Sequence, residues 1–490
     1  MQEMMRKDTL SGSPLSRCLE WCDHRIGMRS LAKRMLEEPI PGGARWAYVF
    51  GSGLLYLFLS QVITGVFLAL YYVPSSDHAH ATVSYISKVV PSGLFLRSVH
   101  AYGATAIVIV LFLHIAQTLF YGAYKGRREL IWLSGCCLLA LMLGMAFTGY
   151  LLPWDKKAYF ATAVGTNIIS EVPYVGTPLQ QILRGSSQMG TLTLSRFFVL
   201  HVFFLPGMIV AFIAFHVYLF RRAGPAGTFK DDPVEPKLAS QPFYPRQLIM
   251  DMAASLLIVF ALALAARFFP IRLGPEANPS DTSYIPRPEW YYLPIFEWLK
   301  ELSGAWSFAG GIVLPSLLAL LFAAIPFFDR GRERRPWRRP VVVAGFTVFA
   351  ACYAGLGVLS AHEDSRDAIV SSQLQRQKQA EIDYMREPFE PESADMEASR
   401  ATQPTAPADP VIARGAAIFA AGPCKDCHGD HGQGSDAAPR LIGVGNKFSE
   451  DALAYLLHHR TKKMIDGGMP YIDLDPADTK ALVAYLRSLK

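Results

Sequence analysis

Four histidines lie inside two strongly apolar stretches, His100 and His114 in one and His201 and His216 in the other. Intervals of 14 and 15 residues return a side chain to nearly the same helix face, displaced by about 21 to 22.5 Å along the axis. A lone histidine in hydrocarbon reads as an interhelical hydrogen-bond donor. A duplicated, period-matched set reads differently, because polar side chains are unfavourable in lipid and neutral imidazole is a good metal ligand. The pattern predicts two haems b stacked across a membrane, an outer one between His100 and His201 and an inner one between His114 and His216. Two glycine pairs, Gly51 with Gly65 and Gly135 with Gly149, repeat the 14-residue interval. A residue without Cβ lets a helix backbone approach a macrocycle. Arg97 and Arg196 stand near the outer ends of the histidine helices, placed either to pair with haem propionates or to snorkel to the interface.

A second chemistry lies near the C-terminus, where Cys424-Lys425-Asp426-Cys427-His428 forms a C-x-x-C-H motif. Such a motif attaches one covalent haem c through two thioethers, with His428 as the proximal ligand. The alternatives are a thioredoxin-like pair or half of a zinc site, but a second C-x-x-C is missing and no βαβ pattern surrounds this one. Gly467-Gly468-Met469-Pro470 offers Met469 as the sixth ligand, with Met464 as its rival. A soft thioether opposite histidine raises a haem's potential. His431, His458 and His459 read as surface residues.

The elements that must position these groups are helices. At 490 residues and 51% hydrophobic, the chain is a polytopic membrane protein, all-α, with seven spans expected near 46–72, 97–120, 130–152, 197–220, 249–269, 311–328 and 341–359. The connections after the second, fourth and sixth spans hold the basic residues, among them Lys125, Arg128, Arg221, Arg222, Lys237, Arg334 and Arg339, so the positive-inside rule makes them cytoplasmic. The N-terminal segment, residues 1–45, belongs on that side as a surface helix rather than a cleavable signal. Seven crossings leave the C-terminus outside, where haem c is attached in bacteria. The net charge of +6 is accounted for by these loops and gives no reason to expect nucleic acid. The expected division is a dihaem four-helix part at 46–225, a three-helix part at 226–360, a linker at 361–409 with a helical first half and closed by Pro404, Pro407 and Pro410, and a small helical cytochrome c domain at 410–490. Cys18, Cys22, Cys136, Cys137 and Cys352 fall where structural disulfides are not expected.

Beside the four histidines stand Gly149-Tyr150-Leu151-Leu152-Pro153-Trp154, Ser195-Arg196-Phe197-Phe198 and Pro288-Glu289-Trp290-Tyr291. With these, residues 30–360 resemble cytochrome b of the cytochrome bc family of quinol oxidoreductases. The resemblance implies an outer quinol-oxidation site lined by Tyr150, Glu289 and Tyr291. One electron would go to a Rieske iron–sulfur partner and a c-type haem, and the other through two b haems to a quinone of the membrane pool near the cytoplasmic face. It also implies a homodimer, and a soluble or membrane-bound cytochrome c or other high-potential terminal acceptor. Independently of family, quinol oxidation releases protons, and a carboxylate at the edge of an apolar pocket is a suitable acceptor. Glu289 fits that role; its alternative is an exposed loop carboxylate. Asp155, Lys156 and Lys157 are placed for the same rim.

The 15-residue interval, Pro153-Trp154-Asp155, Arg128-Glu129-Leu130 and the lack of an eighth span resemble the split, photosynthetic type, here as one continuous chain. Relatives of that type hold an extra haem through a cysteine where this sequence has Val49, which puts that haem in doubt. Asp251, Arg221 and Arg222 are inner-site candidates by position only; Asp251 reads equally as a helix N-terminal acid facing headgroups. A non-bifurcating dihaem conduit and a haem-handling assembly protein are the competing functions. The Glu289 motif argues against the first, and two fixed axial pairs with a covalent haem against the second.

Overall fold

The structure is a computed structural model that describes residues 14–232, 238–281, 283–389, 409–429, 431–435, 438–466, 468–472 and 474–489. Lys237, Pro404, Pro407, Gly467 and residues 390–408 of the expected linker lie outside the described residues. The chain divides into two compact units at Phe389/Glu390.

Among the described residues of the first unit, six helices are long and apolar enough to cross a membrane: Trp46–Ala69, Gly93–Phe120, Glu129–Leu151, Thr191–Ala223, Arg246–Phe268 and Pro340–Arg366. Their lipid-sized apolar faces are left uncovered by protein, with Leu59, Phe203, Leu257 and Val341 all exposed. In a bilayer such faces need no protein partner. The sixth expected span differs. Ala309–Ala323 is too short alone, but Ile325–Phe328 follows it directly, and the 20 residues from 309 to 328 reach about 30 Å.

Contacts fix the far end of this segment and the last span that follows it. At one end, Lys125 Nζ lies 2.5 Å from Asp329, and Arg339 donates to the Leu119 carbonyl at 2.8 Å. Arg334, buried, donates to the carbonyls of Tyr121 at 3.0 Å and Ala226 at 2.6 Å. Basic residues therefore satisfy the orphan carbonyls where the second and fourth spans end, a favourable place for a cation. At the other end, Arg287 pairs with Asp364 near the close of the last span. Between them, the Trp132 indole donates to Phe322 O at 3.1 Å.

Two π-helical segments, Leu200–Phe204 and Ala309–Val313, each precede a Leu-Pro step. Pro206 and Pro315 lack the N–H that would close an α-helical turn four residues back, and a π-turn takes up the slack. The first has a consequence for register. A 15-residue interval overshoots four turns by about 60°, whereas 14 falls short by about 40°; one residue absorbed by the π-turn brings His201 and His216 to the phase of His100 and His114.

The first and second spans pack together, as do the third and fourth, while the fifth lies against the first two. Short helices at the Arg287 end, Ala79–Lys88, Lys156–Ser170 and Gly176–Arg184, enclose a core of Trp154, Tyr159, Leu194 and Phe197. A two-stranded ribbon pairs Ile40 with Gln241. Pro14–Ile26 and Met28–Leu36 leave Trp21, Leu31 and Met35 exposed, as expected of helices lying on a surface. The linker expected from residue 361 starts as structure: the last span runs to Arg366, and Ala368–Arg386 is a further helix, capped by Asp367, within the first unit.

In the second unit, helices Pro410–Ala421 and Pro476–Ser488 cross at backbone contact, where a Cβ on Gly415 would fall 2.0 Å from Ala481 O. Phe419, Leu453, Leu457, Leu482 and Leu486 form the core around them.

Candidate functional site

The four histidines come together in pairs. The rings of His100 and His201 have centroids 6.2 Å apart. Two imidazoles on one metal at about 2 Å each, with about 1.1 Å from nitrogen to ring centre, would be separated by about 6.3 Å. His114 and His216 face each other closely enough to interact electrostatically. Three of the four rings are held from behind at Nδ1: His100 by Thr64 Oγ1 at 2.9 Å, His216 by Ser134 Oγ at 2.8 Å, and His201 by Met145 O at 3.0 Å and Thr148 Oγ1 at 3.4 Å. Bonds of this kind fix the tautomer and leave Nε2 for a metal.

The glycines meet these same rings. A Cβ built on Gly51 would lie 3.6 Å from His114 Cε1, on Gly65 3.2 Å from His100, on Gly135 3.5 Å from His216 and on Gly149 only 2.4 Å from His201. Four paired imidazoles, three with an oriented Nδ1 and each cradled by a glycine, fit bis-histidine haem. Arg97 instead binds protein, donating to Ile271 O at 3.1 Å and Arg272 O at 3.0 Å; Arg196 is exposed beside Gly185. Val49 is buried at the head of the first span.

One residue beyond Gly149, Tyr150 opens a second site. Its buried hydroxyl has no hydrogen-bond partner among the described residues, and its electrostatic neighbours are Glu289, Asp155, Tyr284 and Tyr291. Lys157 joins the group: Nζ lies 2.7 Å from Glu289 Oε1 and 6.0 Å from the Tyr150 ring centre. Burial works against the Lys157 charge, but Glu289, as neighbouring charge and hydrogen-bond acceptor, together with the charges of Asp155 and Glu381 outweighs it and holds the ammonium pKa above its ordinary value. Burial pushes the Tyr291 and Tyr284 phenols up. Glu289 is thus neither a free loop carboxylate nor sealed in the core; its side chain is 37% exposed.

Asp155 has a structural post. Its oxygens accept from Ala158 N at 2.8 Å, capping Lys156–Ser170, and from Gly274 N at 3.2 Å. Lys156 pairs with Asp281 at 2.7 Å. His80, which no sequence signal marked, is buried and its Nε2 bonds Gly274 O at 2.8 Å. At the Lys125 end, Asp251 is buried and accepts from Gln247 at 2.8 Å, so it does not face headgroups. Arg221 pairs with Glu38 at 2.8 Å, and Arg222 is exposed.

In the second unit, the short helix Cys424–His428 puts both thiols on one turn. His428 Nδ1 bonds Pro439 O at 2.7 Å, again leaving Nε2, which suits a C-x-x-C-H haem. Met469 and Met464 are both half-buried, and Arg460 donates to Met469 O at 2.7 Å. His458 bonds Thr479 at 3.0 Å and His459 stacks on Tyr455.

Fold and site together define a multi-pass membrane electron carrier with a cytochrome c unit on the same chain. Residues 35–224 match the family described as cytochrome b/b6/petB, residues 276–376 cytochrome b(C-terminal)/b6/petD, and residues 412–490 cytochrome c. A cytochrome b from Rickettsia prowazekii is 33% identical over 361 residues, covering 73% of this chain and 89% of its own. A cytochrome b/c1 from Bradyrhizobium diazoefficiens is 33% identical over 359 residues, 71% of this chain and 51% of its own. A solved hyperthermophilic respiratory Complex III chain superposes with a TM-score of 0.64 at 26% identity, covering 74% of this chain and 98% of that one. The chain belongs to the cytochrome b family, as the cytochrome b of a bc complex with a fused cytochrome c domain. Haem b and haem c are the groups these families carry, and electron transport in a membrane is their work.

Proposed function

We propose that the protein is the cytochrome b subunit of a quinol:acceptor oxidoreductase that oxidises quinol at the Tyr150–Glu289–Tyr291 site and contributes to a proton gradient. His100 with His201 and His114 with His216 would hold two haems b, and Cys424, Cys427, His428 and Met469 would hold one haem c; when bound, these groups would supply one-electron relays. One electron of the quinol crosses the bundle, and the other leaves through a Rieske iron–sulfur partner toward the c-type haem. The assembly is a homodimer in a bacterial cytoplasmic membrane, with the N-terminus and the Arg334 loop cytoplasmic and the cytochrome c domain outside. Quinone pool and a high-potential acceptor complete the path.

The observation that carries this reading is the step from Gly149, packed on His201, to Tyr150, which lines the site with Glu289 and Lys157. A quinol bound there sits beside both an electron relay and a proton acceptor. Tyr150 and Tyr291 supply apolar walls with a hydroxyl each, and the Tyr150 hydroxyl is free to bond the ring oxygen. Glu289, part-exposed, takes the phenolic proton; Lys157 keeps its carboxylate turned to the site until then. The experiment is Glu289→Gln in the purified complex. Quinol oxidation should slow about a hundredfold, the low end for a lost general base, with b and c haem spectra intact. An unchanged rate refutes the proton role.

A further inference from the structure

Helix Ala368–Arg386 begins inside the matched cytochrome b region, which ends at residue 376, and finishes beyond it. Its far half is tied down on the Glu289 end of the bundle. Tyr384 packs against His80 with ring centroids 5.1 Å apart and planes tilted by 49°, and its hydroxyl meets Ser84 Oγ at 3.0 Å. Lys88 Nζ donates to Tyr384 O at 2.7 Å, and Gln373 donates to Ser283 O at 3.1 Å.

This seating carries Glu381 into the charge cluster beside the quinol site. Its Cγ lies 3.4 Å from where a Cβ on Gly274 would stand, and Asp155 Oδ2 lies 3.6 Å from that same point. The charged groups acting on it are Lys157 and Asp155 from the helix Lys156–Ser170 and its cap, Arg272 from the loop after the fifth span, and Glu289. Lys157, Arg272 and Arg97, which acts on Asp155, face the three carboxylates Asp155, Glu289 and Glu381. Asp155 is committed to two backbone N–H groups and Glu289 to Lys157. Glu381 has no hydrogen bond or ion pair of its own among the described residues, and burial, with Asp155 next after the opposing Lys157, raises its pKa.

Building on the quinol-oxidation reading, we propose that helix Ala368–Arg386 belongs to the outer site and that Glu381 is the second carboxylate of proton release. The quinol O–H proton passes to Glu289, and the resulting carboxylic acid gives it to the Glu381 carboxylate. One proton moves at each step, and Lys157 remains the shared counter-cation. Glu381 releases the proton to solvent, which restores the cluster. It is a positioning and relay residue, since quinol itself touches Glu289.

The test uses the full complex reduced with a short-chain quinol analogue, following haem b reduction from acid to alkaline pH for wild type, Glu381→Gln, Glu381→Asp, Glu289→Gln and the Glu289/Glu381 double variant. Glu381→Gln should be roughly tenfold slower, an order less than loss of the first acceptor. Its pH profile should also move, Glu381→Asp should recover most of the rate, and the double variant should be no slower than Glu289→Gln. Two outcomes overturn the proposal. One is a wild-type rate and profile in Glu381→Gln; the other is a slower rate with an unmoved profile and losses that multiply in the double variant, which would mark a packing role. A normal rate in Glu289→Gln, whatever Glu381→Gln does, sinks the quinol-site reading instead.

Discussion

Replacing each of the four glycines by alanine gives a graded test of the haem cradle. At Gly51 and Gly135 the new methyl would sit 3.6 and 3.5 Å from the imidazole, ordinary contact, and at Gly65 3.2 Å, so the ring yields a few tenths of an ångström. At Gly149 it would meet His201 at 2.4 Å from Cε1, 2.9 Å from Nδ1 and 3.0 Å from Nε2. Restoring 3.4 Å requires about 1 Å of retreat by a ring anchored on Met145 O, the scale of overpacking that costs about 1–3 kcal/mol. That corresponds to about a five- to 150-fold weaker hold on the haem. The covalent haem c is an internal standard, one per chain, so pyridine haemochrome analysis reads occupancy as a b:c ratio. Gly149→Ala should fall from two toward one and lose the outer haem's redox transition. Gly51→Ala and Gly135→Ala should stay at two, with Gly65→Ala between. Full retention in Gly149→Ala, or equal loss at all four positions, would refute the cradle.

Two other perturbations probe the second unit and the loops at the Arg287 end of the bundle. Met469→Leu should lower the haem c midpoint potential and Met464→Leu leave it unchanged, by redox titration; the reverse would exchange their roles. Lys156 and then Ser283 hydrogen-bond Asp281 and hold its pKa down to about 2. Its folded pKa is therefore below the unfolded value, so its stabilisation is present above that value and is lost as pH falls through the folded one. For a part-exposed pair, Asp281→Asn should lower the melting temperature of the solubilised protein by about 1–3 °C at neutral pH. The gap should close as pH falls from about 4 toward 2, and a gap independent of pH would rule out the ion pair as its source.

What the sequence made legible was whatever repeats or needs a rare residue type. His100, His114, His201 and His216 stand out because imidazole is expensive in lipid, and the glycines because they share the interval. The six long spans and the cytochrome c unit follow from hydropathy and one motif. Interaction partners set by tertiary approach were not legible. Thr64, Ser134 and Thr148 look like ordinary small residues of membrane helices until the fold brings each to an imidazole from a different span. Proline revealed its effect only in part: Pro206 is visible in the chain, but the π-turn that brings His201 into phase is a property of the helix. Glu381 was hidden for a stronger reason. It stands in a charged stretch that composition assigns to a linker, and nothing in a window around it distinguishes a solvated acid from one brought to the rim beside Glu289, 92 residues earlier in the chain. What decides between them is the seating of Tyr384 on His80, and His80 is itself a buried histidine of the short helix Ala79–Lys88 with no signature. The membrane half was therefore readable where lipid punishes polarity. At its aqueous end, where polar residues are unremarkable, only the fold shows which charges meet.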